Sequence, residues 1–296
     1  MRILVATDGS KDADAAVEWL THLPLPEDSS VEVVSVMPDP EPSDAIGSPL
    51  WRDVRMESEH VVDDAVRRIA KRRTAVTGRV LAGAEPCEAI LDAAVKGKSD
   101  LIVLGARGLG AMGSVLLGSV SLGVSRHAPC PVLICKGMPR PVRAVTVALD
   151  GSAGARAALE FLTALPLPSD LTVCLVGVVE PLRRPTTAPG FAAPILRGAI
   201  EDLECESRNR LNEALAPSAT ALRPRVRRVV TVTPTGSPAA AILHKAEHYE
   251  CDLIVVGARG LGALRRIALG SVSESVLRNA VCPVLIVRPS PPRSGR

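Results

Sequence analysis

The residues of this chain whose types and spacing could do chemistry are an aspartate turn, Asp8-Gly9-Ser10, and a spaced glycine motif, Gly105-Ala106-Arg107-Gly108, nine residues, then Gly118-Ser119. Both occur again, at Asp150-Gly151-Ser152 and at Gly257-Ala258-Arg259-Gly260, nine residues, Gly270-Ser271. A carboxylate accepts hydrogen bonds from hydroxyl or amino groups. Bare glycine amides next to a helix start, where the first N–H groups have no intrahelical partner, attract an anion. A ligand with donors at one end and phosphates at the other suits such a pair, and a nucleotide is one. Asp-Gly-Ser is also an ordinary turn and helix N-cap. Turns alone do not explain why the whole constellation occurs twice.

Other phosphate chemistries fit less well. The string Gly108-x-Gly110-x-x-Gly113 matches a dinucleotide fingerprint, but it follows the fourth predicted strand and its repeat has Arg265 at the last glycine. No Gly-x4-Gly-Lys-[Ser/Thr] occurs, so the lysine of a P-loop enzyme is missing. The anion is left to backbone amides, to the hydroxyls of Ser119, Ser121, Ser271 and Ser273, and to Arg107 and Arg259 as candidate cations. The five histidines hold no repeated position, since His127 aligns with Asn279 and His244 with Asp92. A Ser-His-Asp hydrolase is therefore not indicated.

The elements that must position these residues can be read from hydrophobic runs. Arg2–Thr7, Val31–Val36, Arg79–Leu81, Leu101–Leu104 and Pro131–Cys135 read as strands. Lys11–Thr21, Asp53–Thr74, Glu85–Lys96 and Ser119–His127 read as helices. The second half repeats this order. Asp8 aligns with Asp150 at an offset of 142 and Gly105 with Gly257 at 152. Ten extra residues are therefore expected in the second half, in or around 180–194. Strands alternating with helices predict an α/β fold of two tandem doubly wound domains, each a five-stranded parallel sheet with helices on both faces. Asp8 and Gly105 then lie at the carboxyl ends of two strands, where such sheets bind ligands.

Lys136–Pro141 is a short linker, so the halves are expected to pack. The Pro-rich loops 38–50 and 180–194 read as surface insertions anchored by Trp51 and Phe191, with a lid on a ligand as the alternative. The Arg223–Arg228 cluster, Arg67-Arg68 and Lys71–Arg73 read as solvated faces.

Of the 296 residues, 47% are hydrophobic but only 2% aromatic, so the core is aliphatic and base-stacking platforms are scarce. The net charge is +3, from 35 basic and 32 acidic residues, which implies neither a polyanion nor a membrane partner. Seven cysteines without a C-x-x-C pair read as reduced core thiols, and Asp8 comes too soon after Met1 for a signal peptide. Both point to a cytoplasmic location. No stretch reaches the ~18 uninterrupted apolar residues of a membrane span.

These residues resemble the universal stress protein family, in its tandem form and its ATP-binding branch. The match is carried by Asp8-Gly9-Ser10, by Gly105-x2-Gly108-x9-Gly118-Ser119 and by Pro131-Val132-Leu133-Ile134, with the same set at 150–152, 257–271 and 283–286. It spans two domains, 1–137 and 141–290. The resemblance implies strand order 3-2-1-4-5 in each. It places adenine and ribose against the aspartate and the end of strand two, and phosphates at the glycine loop. The nucleotide-binding residues are then Thr7, Asp8, Val36, Gly105, Arg107, Gly108, Gly118, Ser119, Val120 and Ser121 in the first half. In the second they are Asp150, Val178, Gly257, Arg259, Gly260, Gly270, Ser271, Val272 and Ser273. No catalytic or metal-ligating residue is assigned, and Mg would arrive with the phosphates of ATP.

The last strands, 131–135 and 283–287, are expected to pair as a pseudo-dimer within one chain, with a homodimer as a further assembly. The implied function is a nucleotide-dependent regulator of the stress response that is not an enzyme. A slow ATPase or phosphotransfer enzyme, and a nucleotide-insensitive scaffold pairing through its last strands, are the alternatives. Two departures separate the halves: Leu149 stands where the first half has Thr7, and Ser271-x-x-Glu274 reads as a capping box where the first half has Leu122.

Overall fold

The computed structural model describes residues 1–38, 49–71, 75–83, 85–109, 117–182, 192–261 and 269–289. The first half alternates β1 (Arg2–Ala6), α1 (Lys11–His22), β2 (Ser30–Met37), α2 (Pro49–Ala70), β3 (Ala75–Ala82), α3 (Pro86–Lys96), β4 (Leu101–Gly105), α4 (Ser119–His127) and β5 (Val132–Cys135). The second half repeats it as β6 (Ala144–Ala148), α5 (Ala153–Ala164), β7 (Thr172–Val176), α6 (Ala192–Leu222), β8 (Arg228–Val232), α7 (Pro238–His248), β9 (Leu253–Gly257), α8 (Ser271–Asn279) and β10 (Val284–Val287).

The central strands are apolar at every position because both sheet faces are covered. All five residues of β4 and all four of β5 and β10 are buried. Alternate residues sort onto two faces. Ile3 and Val5 of β1 pack with Val17 and Leu20 of α1 and with Val62 and Ile69 of α2, while Leu4 and Ala6 pack with Ile90 of α3 and Val124 of α4. β1 pairs in parallel with β2 on one side and β4 on the other. The crossover after β1 thus goes to one face and that after β4 to the other, which opens a crevice at their carboxyl ends.

The ten strands form one sheet in the order β3-β2-β1-β4-β5-β10-β9-β6-β7-β8. Each half has the order 3-2-1-4-5. The junction is antiparallel, with Val132, Leu133 and Ile134 opposite Ile286, Leu285 and Val284. Two short aliphatic strands that would otherwise be sheet edges cover each other.

Several expectations are corrected. α2 begins at Pro49, not Asp53, and carries Trp51 half-buried in its first turn; Phe191 lies outside the described residues. α6 has 31 residues against 22 for α2, and both end at equivalent positions, so the insertion largely lengthens the start of a helix. Arg68 and Arg225 are structural. Arg68 donates to the Asp14 carboxylate at 2.9 Å, tying α2 to α1, and Arg225 donates to the carbonyls of Thr163 and Leu165 at the end of α5. Cys130, Cys135, Cys174 and Cys251 are buried thiols as expected, but Cys205 is exposed on α6. No helix among the described residues is long and apolar enough to cross a membrane.

Burial sets an alkaline limit. Desolvation pushes Cys130, Cys174 and Cys282 from 9.0 up to about 12, and it raises Cys135 and Cys251 as well. Above pH 9 the unfolded thiols lose protons that the folded chain keeps, so stability falls by about 1.4 kcal/mol per thiol per pH unit until the folded groups titrate. Lys136, which burial lowers from 10.5 to about 8, acts in the opposite sense between those two values. One lysine is outnumbered by the thiols. Urea denaturation is expected to show a net loss of several kcal/mol at ~pH 11 relative to ~pH 8.

Candidate functional site

The first-half site is built on the loops that follow β1 and β4. Ser10 caps α1, its hydroxyl accepting from the Ala13 amide at 3.3 Å and donating to the Arg107 carbonyl at 3.3 Å. One Asp8 oxygen accepts from the Ser10 amide at 3.0 Å and the other from the Leu109 amide at 2.9 Å. Asp8 therefore closes its own turn and pins the glycine loop against it, a structural task that the sequence reading did not assign. The second half reproduces this: Asp150 accepts from the amides of Ser152 at 2.9 Å and Leu261 at 3.1 Å, and the Ser152 hydroxyl donates to the Arg259 carbonyl at 3.3 Å.

The glycines have different reasons for being glycine. A Cβ on Gly105 would sit 2.5 Å from the backbone of Asp12, and one on Gly257 would sit 2.5 Å from that of Gly154. Both are required by the close approach of a helix start. A Cβ on Gly108 would lie 2.3 Å from Asp8 Oδ2, and one on Gly260 would lie 2.5 Å from Asp150 Oδ2, so those two admit the carboxylate. Gly118 and Gly270 differ. Their φ values of −73° and −71° suit any residue, and a Cβ would meet no described residue nearer than 3.4 Å. Packing among the described residues does not demand glycine there, but an object lying against the backbone would.

Gly118 and Gly270 are the N-caps of α4 and α8 and offer no side-chain cap. The amides of Ser119, Val120 and Ser121, and those of Ser271, Val272 and Ser273, have no acceptor among the described residues. These are the orphan donors of a helix start, gathered at its positive end. Because Gly270 is the cap, the capping box expected at Ser271-x-x-Glu274 does not form. Glu274 instead accepts from Arg126 of the other half at 2.9 Å and from Arg278 at 2.8 Å, and these hold its carboxyl below the usual range.

All ten first-half candidates, Thr7, Asp8, Val36, Gly105, Arg107, Gly108, Gly118, Ser119, Val120 and Ser121, line one cavity of about 440 Å³. The sequence reading missed its apolar wall, which includes Val34, Pro86, Ile90, Leu104 and Leu117. The signal was present in Pro86 and Ile90, one turn apart at the start of α3. The hydroxyls divide the work. Ser121 Oγ donates to the Gly105 carbonyl at 2.7 Å and Ser273 Oγ to the Gly257 carbonyl at 2.6 Å, so their protons hold the loops. Ser119 and Ser271 are exposed at the first helical position.

Arg107 reaches along α1 rather than over the helix start, donating to both Asp12 oxygens at 2.9 and 3.3 Å. Gly154 replaces Asp12 in the second half, and Leu149 is buried where Thr7 lines the first cavity. Val178 lies just past β7, whereas Val36 is within β2. Gly110, Gly113 and Arg265 of the dismissed dinucleotide string lie outside the described residues.

The glycine roles can be separated by denaturation. Gly105→Ala and Gly257→Ala are each expected to destabilise by about 1–3 kcal/mol through overpacking. Gly118→Ala and Gly270→Ala should stay within about 1 kcal/mol, the scale of a helix-cap change. Urea midpoints of the four variants check this.

The profile of the universal stress protein family matches residues 1–136 and again 141–288. Universal stress protein Rv2623 of Mycobacterium tuberculosis is 29% identical over 315 residues, covering 97% of this chain and 96% of its own. Universal stress protein Rv1996 of the same organism is 30% identical over 320 residues, covering 97% and 94%. A crystal structure of a universal stress protein from Archaeoglobus fulgidus shares the fold, with a TM-score of 0.65 at 24% identity over 97% of this chain and 98% of that one. Two copies of one glycine-loop domain, matched end to end by tandem relatives, establish that this chain belongs to the universal stress protein family.

Proposed function

We propose that this protein binds ATP in each half and acts as a nucleotide-dependent regulator of the stress response. The observation that carries this reading is the glycine helix start. Among the described residues, Gly118 and Gly270 leave open backbone that packing does not require, and three amides without an acceptor follow each of them. Phosphate is the natural occupant of such a place. The apolar wall of Val34, Val36, Pro86, Ile90 and Leu104 supports a flat base beside it, and the exposed Asp8 supports hydroxyl donors between the two. The two phosphate cradles of the chain repeat almost bond for bond, which supports one ligand per half. Mg would be carried by the phosphates of ATP.

Regulation fits the chemistry better than turnover. Among the described residues lining the cavity, Asp8 and Arg107 are the only ones with charged side chains, and both are held by hydrogen bonds within the fold. The described lining of the first cavity includes no histidine or lysine to serve as a general base or a phosphate-transferring cation. Amides and helix dipoles bind without activating a nucleophile, which suits a sensor.

ATP at about a hundred times its Kd is expected to raise the melting temperature by roughly 5–10 °C, the shift that two sites at about 2.7 kcal/mol each produce in a protein of this size. Gly118→Val together with Gly270→Val should abolish the shift while the nucleotide-free variant still unfolds cooperatively. A wild-type protein whose melting is indifferent to ATP would sink the reading. Released phosphate is expected to stay at the buffer rate; turnover that disappears in the double variant would move the function to the ATPase alternative.

A further inference from the structure

The residue that follows the last strand of each half reaches into the other half. Lys136, after β5, donates through Nζ to the carbonyls of Leu277, Arg278 and Ala280 at 2.5, 3.3 and 3.0 Å. These are the open carbonyls at the end of α8. Arg288, after β10, donates through Nη2 to the carbonyls of Ser125 and Arg126, both at 2.6 Å, in the last turn of α4. The two cations occupy equivalent positions, 152 residues apart, so the contacts are one arrangement made twice across the pseudo-twofold.

Each cation is also wired to its own glycine loop. The Cys135 carbonyl accepts from the Ala106 amide at 3.1 Å, and the Ala106 carbonyl accepts from the Gly118 amide at 2.8 Å. The same relay joins Val287 to Ala258 at 2.7 Å and Ala258 to Gly270 at 2.8 Å. Lys136 therefore begins one bond from the first glycine loop and ends on α8, whose other end is the Gly270-Ser271 cradle. Arg288 runs from the second loop to α4 and the Gly118-Ser119 cradle. The Trp19 indole fixes the Lys136 backbone by donating to its carbonyl at 3.1 Å.

We propose that Lys136 and Arg288 are crossed positioning residues, each setting the anion-binding helix of the opposite half, so that the two nucleotide sites are coupled through the β5–β10 junction. The physical basis is that α4 and α8 have only nine residues each. A helix of about two and a half turns is held chiefly by its ends and one packed face. A cation on the last carbonyls satisfies acceptors that have no intrahelical partner and complements the negative end of the dipole. With that end anchored, the first-turn amides at the other end keep their aim. The Arg126–Glu274–Arg278 cluster ties the two helices side by side, so a shift in one is felt by the other.

This inference rests on the ATP reading for its ligand but not for its wiring, and the two are tested apart. ATP binding is measured by calorimetry in two backgrounds, Gly270→Val to leave the first site and Gly118→Val to leave the second. Lys136→Met is expected to weaken the second site about tenfold and to leave the first within twofold. Arg288→Met should do the reverse, and Lys136→Arg should restore most of the loss. A loss confined to the same half, or equal in both, overturns the proposal.

Amide hydrogen exchange without nucleotide gives a second readout. Lys136→Met should speed exchange at the helical amides of α8 and spare α4, and Arg288→Met should show the opposite pattern. If wild-type protein binds no ATP in either background, the proposed function falls while exchange still decides the wiring. Uniform or absent exchange changes would refute that too.

Discussion

The architecture of each site depends on how closely a helix start approaches the end of a neighbouring strand. The first residues of α1 sit so near Gly105 that a single added carbon would lie 2.5 Å from the Asp12 backbone. That approach puts the β1 turn and the β4 loop within hydrogen-bond reach of each other. Asp8 can then accept from Leu109, and Ser10 can donate to Arg107, so two loops from different strands become one rigid rim. Gly108 follows as a consequence, because the carboxylate occupies the space of its Cβ. The cradle at Gly118 hangs from the same rim through the Ala106 carbonyl. A rim held this way would need little reordering to accept the proposed nucleotide, and preorganisation of that kind is where affinity is gained.

The tandem arrangement solves a second problem. β5 and β10 are four-residue aliphatic strands, and each would be an exposed edge in a lone domain. Pairing them antiparallel makes a ten-stranded sheet whose remaining edges are β3 and β8, neither of which has a fully buried residue. The junction also decides what the side chains just beyond it can touch. Lys136 and Arg288 find helix ends only because the strands run in opposite directions past each other.

The halves are alike in backbone and unlike in detail. Asp12 draws Arg107 away from the helix start in the first half, and Gly154 leaves no such carboxylate in the second. Thr7 gives the first cavity a polar atom where the second half has Leu149. Glu274 serves the interface of both halves from one side only, because its counterpart is Leu122. A duplicated scaffold has thus kept the interactions that build the rim and varied those beside it.

The sequence by itself determined the repeat, the strand and helix order and the polar and glycine rim of the first cavity, though not its apolar wall. Those features are written in local signals: buried apolar runs, Asp-Gly-Ser turns, and glycines at fixed spacing after a strand. It did not separate the glycines that a helix crowds from those that lie open, since both read as Gly. It read Ser121 and Ser273 as anion donors and Ser271 as a cap, and it placed Arg68 and Arg225 on solvated faces. Only the tertiary structure decided these, because each depends on a partner at least 16 residues away, or on which residue ends a loop. A hydroxyl proton goes to the nearest well-aligned acceptor, and a cation to the nearest open carbonyl. No periodicity in the chain records where those will be.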